Sequence, residues 1–495
     1  MQLQWNSLPC TYLRRSQAQV HNQEQTQEVR LPEGMPDMGR ILCAWGQPVL
    51  RSKEWRNDSI AATGGIITWV LYLPEDGSQP RSMEAWIPFQ AKWDRPEGGR
   101  EGTIHLTCQL QDLEGRMLSG RKMMIRANVA LQMHSLQSAQ LEVPILQQES
   151  EDVQLLRKTY PLCLRKEAGE KPFLLQEQLQ LTGAVPSKIL GCEARCAVAE
   201  QSAVGNKLVV RGNCRVHLVY MDREDRVCGR WVNVPFSQFT DLDADYDKEA
   251  RAMVSLAFTS LEPELLEGHV QIKCGMIAQY EICDRQLIQV AEDAYSPGRT
   301  LVPDLRLIPV DSVLDSGERT LELTGQLQEH PGQIVDLSLL LDQPTQYREG
   351  DQAYIELPGA LQALYYDAED QLRAECVPVN GRLQLPLADN AHMSLQLTDA
   401  QLPEQWMGRD LGCSCRLETI TTAEQEIPML WGMELGEAKQ PDPQRPALVL
   451  RRAGQATLWE LAKHYGSTVD AIRNANQLEA NQEPEYAQML LIPIH

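Results

Sequence analysis

A strand–turn–strand pattern is written three times into this chain, about 150 residues apart, and no other feature restricts the fold as much. The first runs are Gly64-Gly-Ile-Ile-Thr-Trp-Val-Leu-Tyr72, Gly212-Asn-Cys-Arg-Val-His-Leu-Val-Tyr220 and Gly359-Ala-Leu-Gln-Ala-Leu-Tyr-Tyr366. Short polar turns follow: Pro74-Glu-Asp-Gly77, Asp222-Arg-Glu-Asp225 and Asp367-Ala-Glu-Asp370. The second runs close on Trp86-Ile-Pro-Phe89, Trp231-Val-Asn-Val-Pro-Phe236 and Leu383-Gln-Leu-Pro-Leu387. Strand, polar turn, strand is the signature of an antiparallel hairpin. The period is far longer than the solenoid repeat of about 20–50 residues, so tandem domains are expected.

Flanking landmarks keep the same spacing. Leu31-Pro-Glu-Gly-Met-Pro36 and Leu181-Thr-Gly-Ala-Val-Pro186 lie upstream of the first two hairpins, and His330-Pro331-Gly-Gln-Ile334 is a worn third copy. After Gly120, Met123, Ile125, Ala127, Val129 and Leu131 alternate with polar residues. Val270, Ile272, Cys274 and Met276 do the same after Gly268, as do Leu411, Cys413, Cys415 and Leu417 after Gly408. Period-two alternation places each apolar set on one face of a strand. In the third copy Pro358 stands where the others have Gly64 and Gly212. The expected fold is mainly β: three tandem β-sandwich-like repeats over 1–145, 146–297 and 298–436, the third degenerate. A Pro-rich linker over 437–446 and a module over 447–495 complete the chain. The Gln-rich stretch Gln17–Gln27 reads either as a polar tail or as a connection inside the first repeat.

Charge narrows the partners. The formal net charge is −22, from 46 basic and 68 acidic side chains. That excess repels phosphate backbones and anionic lipid, so neither nucleic acid nor membrane insertion is expected. Met1 to Arg15 lacks the apolar core of a signal peptide, and no stretch approaches the roughly 20 apolar residues of a membrane span. The 13 cysteines are odd in number and unpaired in spacing, the pattern of reduced thiols in a cytoplasmic protein.

The last 50 or so residues change period. Leu448-Val-Leu450 suggests a strand. Thr457-Leu-Trp-Glu460 forms a capping box, Leu458, Leu461, Ala462 and Tyr465 follow at helical spacing, and Gly466 is placed to end the helix. Ser467 or Thr468 opens a second short helix, and Met489-Leu-Leu-Ile-Pro493 supplies a closing strand. Thr457-Leu-Trp459, Leu461-Ala-Lys-His-Tyr-Gly466, Asn474-Ala-Asn476-Gln-Leu478 and Leu490-Leu-Ile-Pro493 together resemble the LysM family. The resemblance implies a β-α-α-β fold that binds N-acetylglucosamine glycans such as peptidoglycan in a shallow groove, here Gln455, Ala456, Thr457, Gln477 and Leu478. Two departures fall on the groove loops: the family's Gly-Asp is Gln455-Ala456, and its later Pro-Gly is Tyr486-Ala487.

The repeats are similar to the SPOCS domain of spore-coat-associated proteins, through Lys171-Pro-Phe-Leu-Leu-Gln-Glu-Gln-Leu and Lys207-Leu-Val-Val-Arg-Gly212 to Pro235-Phe236. That similarity implies a mother-cell protein on the forespore surface. Its partners would be spore coat morphogenetic proteins, notably the coat ATPase, with LysM docking protein or glycan.

Reaction chemistry finds little support. Asp241-Leu-Asp243-Ala-Asp245-Tyr-Asp247 opens like a calcium loop but has Tyr246 and Ala252 where glycine and glutamate are needed. It reads as a solvated acidic loop. Cys192 and Cys196, and Cys413 and Cys415, lack a second ligand pair at zinc spacing. His217 sits opposite Cys214, Val216, Leu218 and Tyr220 on its strand. Neither a phosphate-cradling glycine loop nor a nucleophile elbow is present. The expectation is a non-enzymatic scaffold for spore-envelope assembly without metal or cofactor; the alternative is a glycan-binding cell-envelope protein acting through LysM.

Overall fold

The computed structural model describes residues 5–95, 101–146, 152–181, 183–350, 352–385, 391–402, 408–440, 444, 446–479 and 482–494. The chain is mainly β. Strands β1 (Trp5–Arg15), β2 (Gln19–Arg30), β3 (Met38–Trp55), β4 (Ser59–Pro74), β5 (Arg81–Asp94), β6 (Thr103–Ser119) and β7 (Lys122–Leu146) come first. Next are β8 (Gln154–Leu179), β9 (Pro186–Asp222), β10 (Val227–Tyr246), β11 (Arg251–Leu266) and β12 (His269–Tyr295). Then follow β13 (Arg299–Gln326), β14 (Gln333–Leu341), β15 (Thr345–Glu349), β16 (Gln352–Tyr366), β17 (Leu372–Leu385), β18 (Ala391–Gln401) and β19 (Asp410–Ala438). The C-terminal module is β20 (Leu448–Arg452), α1 (Leu458–Tyr465), α2 (Val469–Asn476) and β21 (Met489–Pro493). Among the described residues no helix is long and apolar enough to cross a membrane.

The three expected hairpins are β4–β5, β9–β10 and β16–β17, all antiparallel. Their turns share one geometry. Gly77, Asp225 and Asp370 each take a left-handed φ, of 71°, 65° and 56°. The Asp222 and Asp367 carboxylates each accept two backbone N–H groups of their own turn, an Asx arrangement that offsets the left-handed residue. Five residues before the left-handed position a tyrosine reaches back 36 residues. Tyr72 donates to Pro36 O, Tyr220 to Ala184 O and Tyr365 to Glu329 Oε2. Tyr365, rather than the expected strand-closing Tyr366, is therefore the third tyrosine of the set.

Glycine and bulk face each other across these hairpins. Gly64 pairs with Phe89 and Gly212 with Phe236. A Cβ on either glycine would stand 2.5 or 2.6 Å from the ring and 2.3 or 2.1 Å from the carbonyl of Val49 or Ala197. In the third hairpin the roles change strands: Leu357 is the buried side chain and Gly381 lies opposite it. The contact of Gly212 with Ala197 also shows that β9 doubles back on itself, with Gly205 at φ 60° between them.

Each stretch opens and closes on long strands that pair with one another. β7 takes β1 and then β2 along one edge, from Trp5↔Leu146 to Arg30↔Lys122. β12 pairs with β8 from Tyr295↔Gln154 to Val270↔Leu179, and β19 with β13 from Ala438↔Arg299 to Asp410↔Gln326. The Gln-rich segment is thus strand β2, held by its neighbour rather than by propensity. The alternating sets after Gly120, Gly268 and Gly408 all point into the core; Ile125, Ile272 and Cys415 are fully buried. The acidic stretch proves not to be a loop. β10 continues through it to Tyr246, with Leu242 and Tyr246 buried and Asp241, Asp243 and Asp245 facing solvent.

Apolar clusters run across the expected boundaries near 145 and 297. Trp45 and Trp69 pack with Val216, Ile272, Leu364 and Leu372 in one cluster. Leu141 and Val143 pack with Leu162, Leu164, Val290, Val310 and Met429 in another. β19 runs through Ala438, so the first two residues of the expected linker belong to a strand; 441–443 and 445 lie outside the described residues.

Candidate functional site

The C-terminal module is set up by its helix ends. Thr457 Oγ1 accepts the Glu460 N–H at 3.2 Å, while Glu460 Oε2 accepts the Thr457 N–H at 2.8 Å, closing the capping box. Gly466, at φ 64°, ends α1 and donates its N–H to Ala462 O. Thr468 caps α2 by accepting the Ala471 N–H at 3.1 Å. Gln477 ends α2 in the left-handed region at φ 57°. β20 and β21 pair antiparallel, with Leu490 and Ile492 buried against Leu458, Leu461, Ala462 and Ile472.

The five expected groove residues lie on two connections. Gln455, Ala456 and Thr457 join β20 to α1, and Gln477 and Leu478 leave α2. Gln455, Thr457 and Gln477 are exposed; Ala456 and Leu478 are half-buried. Two bonds hold the connections side by side. The Gly454 N–H reaches Tyr486 O at 3.1 Å, and the Leu458 N–H reaches Glu483 Oε2 at 3.0 Å. The second bond gives an orphan donor of the first helical turn a carboxylate, which also suits the helix dipole. Glu483, 25 residues from its partner, is marked by no local pattern in the sequence. The exposed groups are amides and a hydroxyl, donors and acceptors suited to sugar hydroxyl and acetamido groups.

Elsewhere the strongest cluster is His105, His134 and Glu281, whose ligand atoms lie within 4.8 Å of one another. Its bonding argues against a metal centre. Arg15 Nη2 lies 3.3 Å from His134 Nδ1, and a guanidinium only donates, so Nδ1 accepts. The ring proton then sits on Nε2, donated to Glu281 Oε1 at 2.9 Å, and His134 keeps no lone pair for a metal, which leaves His105 and Glu281 too few to hold one. Arg165 donates from Nε to Glu281 Oε2 and from Nη1 to Asp311 Oδ2, both at 2.9 Å. Burial and Arg15 push the His134 pKa down to about 3, despite the Glu281 contact. Burial works the other way on Glu281, but Arg15 and the two histidines hold its carboxyl well below the usual range.

His217, not the solvent-facing residue that strand alternation implies, is wholly buried. It is hydrogen-bonded to Asp336, stands 3.4 Å from Glu193 Oε1 and stacks on Trp231 at 4.5 Å. Trp45 Nε1 donates to the other Asp336 oxygen at 3.3 Å. Burial alone would lower the His217 pKa, but Asp336 and Glu193 win and raise it to about 9. Nearby, a cavity of about 200 Å³ is lined by Gln47, Gln109, Glu193, Arg195 and Gln343. Its amides are spent on the protein itself: Gln47 accepts the Ala194 N–H, Gln109 donates to Leu341 O and Gln343 to Gln109. Cys413 and Cys415 are buried, and among the described residues no disulfide joins any of the 13 cysteines.

Residues 453–493 match the family model of the LysM domain. The match covers the module alone, and the SPOCS resemblance of the β strands has no family match behind it. No curated protein and no solved structure matches the chain. With its helix caps, its paired strands and its two pinned connections, the C-terminal module of this chain is a LysM domain.

Proposed function

We propose that this protein binds an N-acetylglucosamine-containing glycan, peptidoglycan foremost, through its LysM groove, with the β body as a non-catalytic scaffold. The observation that carries this reading is the LysM match over 453–493, with Gln455, Thr457 and Gln477 left exposed on two loops pinned side by side. Ala456 and Leu478 complete the proposed contact surface. Co-sedimentation with insoluble peptidoglycan tests it: the full chain pellets with the glycan, whereas Gln455→Ala/Gln477→Ala stays largely in the supernatant. Equal pelleting of both chains would contradict the assignment of the groove.

A second reading, docking of a protein, is favoured by the outer face of β20–β21. Leu448, Leu450, Met489 and Leu491 project there into solvent, at 52, 61, 51 and 37 % exposure. The finer reading, a scaffold in spore-coat assembly that engages the coat ATPase, rests on the sequence resemblance alone. That the body is three copies of one unit, divided near 145 and 297, is supported by the common turn, the 36-residue tyrosine reach and the paired long strands.

A further inference from the structure

We infer that the LysM domain is latched to the β body rather than hung from it on a free tether, and that Asp293 is the latch. The inference concerns the module's placement and stands whether or not the groove takes a glycan. Asp293 and Tyr295 lie in the last three residues of β12. The Asp293 carboxylate accepts Trp459 Nε1–H at 2.9 Å on Oδ2, and Lys463 Nζ at 2.8 and 2.6 Å on its two oxygens. Trp459 and Lys463 are four residues apart on α1, hence on one face of the helix. The Asp293 side chain is 19 % exposed and that of Lys463 44 %, so solvent screens the ion pair more than the charge-assisted bond from Trp459.

Tyr295 makes the second contact. It is buried and packs into the module's apolar cluster with Leu458, Leu461 and Ile472. Its ring meets Trp459 edge-on at 4.8 Å, and its hydroxyl donates to Ser467 O at 2.9 Å between the two helices. A residue of the body thus completes the module's core. The linker is shortened as well: Lys439 Nζ donates to Ser296 O at 2.9 Å, tying the chain back to the turn that follows Tyr295.

The latch uses the Trp459–Lys463 face and leaves Gln455, Thr457 and Gln477 exposed, so the docked module is open to ligand. Its consequence is geometric. Whatever the module holds stands at one fixed pose against the body, so the two surfaces act without the losses in effective concentration that a long flexible linker brings.

Limited proteolysis of the full chain between 439 and 448, with small-angle scattering alongside, tests this. Wild type is expected to scatter as a single rigid particle and to be cut slowly. Asp293→Ala/Tyr295→Phe is expected to be cut about tenfold faster, the equivalent of about 1.4 kcal/mol of lost docking. It should release a LysM fragment that resists further digestion, which separates undocking from unfolding. Lys463→Asp should also open the linker, and adding Asp293→Lys should close it again in part. Wild-type cleavage as fast as the double variant, or wild-type scattering that demands many module positions, would overturn the latch.

Discussion

The imidazole of His217 and the carboxylate of Asp336 are hydrogen-bonded in the interior although 119 residues of chain separate them. Trp45 joins the same carboxylate from a third, still more distant stretch. Removing Asp336 leaves His217 buried with Glu193 alone and orphans the Trp45 Nε1–H, at a cost toward the lower end of the about 3–5 kcal/mol of a broken buried pair. Asp336→Ala should lose that much in chemical denaturation, while His217→Phe/Asp336→Leu should lose clearly less than the sum of its single variants. Additive losses would mean that the two residues are not coupled.

Stability should peak near pH 6.5. Above it, an unfolded histidine with a pKa of 6.5 has lost its proton while His217, raised to about 9, keeps it. The His217 contribution is therefore fully present below pH 6.5 and is lost as pH rises through about 9. Below it, the unfolded chain protonates His134 whereas the folded one, at about 3, does not. Stability thus falls as pH drops from 6.5 toward 3, and Glu281 adds to the loss below the ordinary carboxylate range. Urea midpoints between pH 5 and 9 check this; His217→Phe should flatten the alkaline limb alone.

Gly64→Ala and Gly212→Ala should each cost a few kcal/mol, since the added methyl meets a backbone carbonyl as well as a ring. Gly64→Ala/Phe89→Leu should recover only part of the loss, because the Val49 carbonyl remains. A thermal melt indistinguishable from wild type for Gly64→Ala would contradict the close approach.

Thr457→Ala removes half of the capping box and should cost the module about 1 kcal/mol. Glu483→Ala leaves the Leu458 N–H unpaired and frees the two loops from each other. Hydrogen exchange at Leu458 should accelerate in Glu483→Ala and be little changed in Glu483→Gln, whose amide oxygen still accepts.

Cys163 should alkylate faster than Cys108 near neutral pH, both being partly exposed. Its hydrogen bond with Cys283 brings its pKa down to about 7 against the opposing effect of burial, while burial takes Cys108 up to about 12. Mass-resolved iodoacetamide labelling distinguishes them, and faster labelling of Cys108 would contradict the assignment.

Much of the fold is legible in the residues because burial on one strand face imposes period two, as at Met123–Leu131 and Val270–Met276. The helix caps of the module are equally local, Thr457 and Glu460 being one turn apart. What stayed hidden depends on partners far along the chain. β2, rich in glutamine and glutamate, is a strand because β7 offers it an edge. The aspartates of 241–245 look like a loop until Leu242 and Tyr246 are seen to be inward. The exchange of glycine and bulk between strands, Gly212–Phe236 against Leu357–Gly381, disguises the third hairpin. Glu483 and Asp293 acquire their roles only when remote segments meet at α1.

The groove's function turns on one titration: calorimetry of the full chain with a soluble oligomer of N-acetylglucosamine. Saturable binding is predicted, weakened about tenfold or more by Gln455→Ala/Gln477→Ala with no change in melting temperature. Heats no larger than those of dilution, or equal affinity in the double variant, would contradict glycan recognition by this LysM domain.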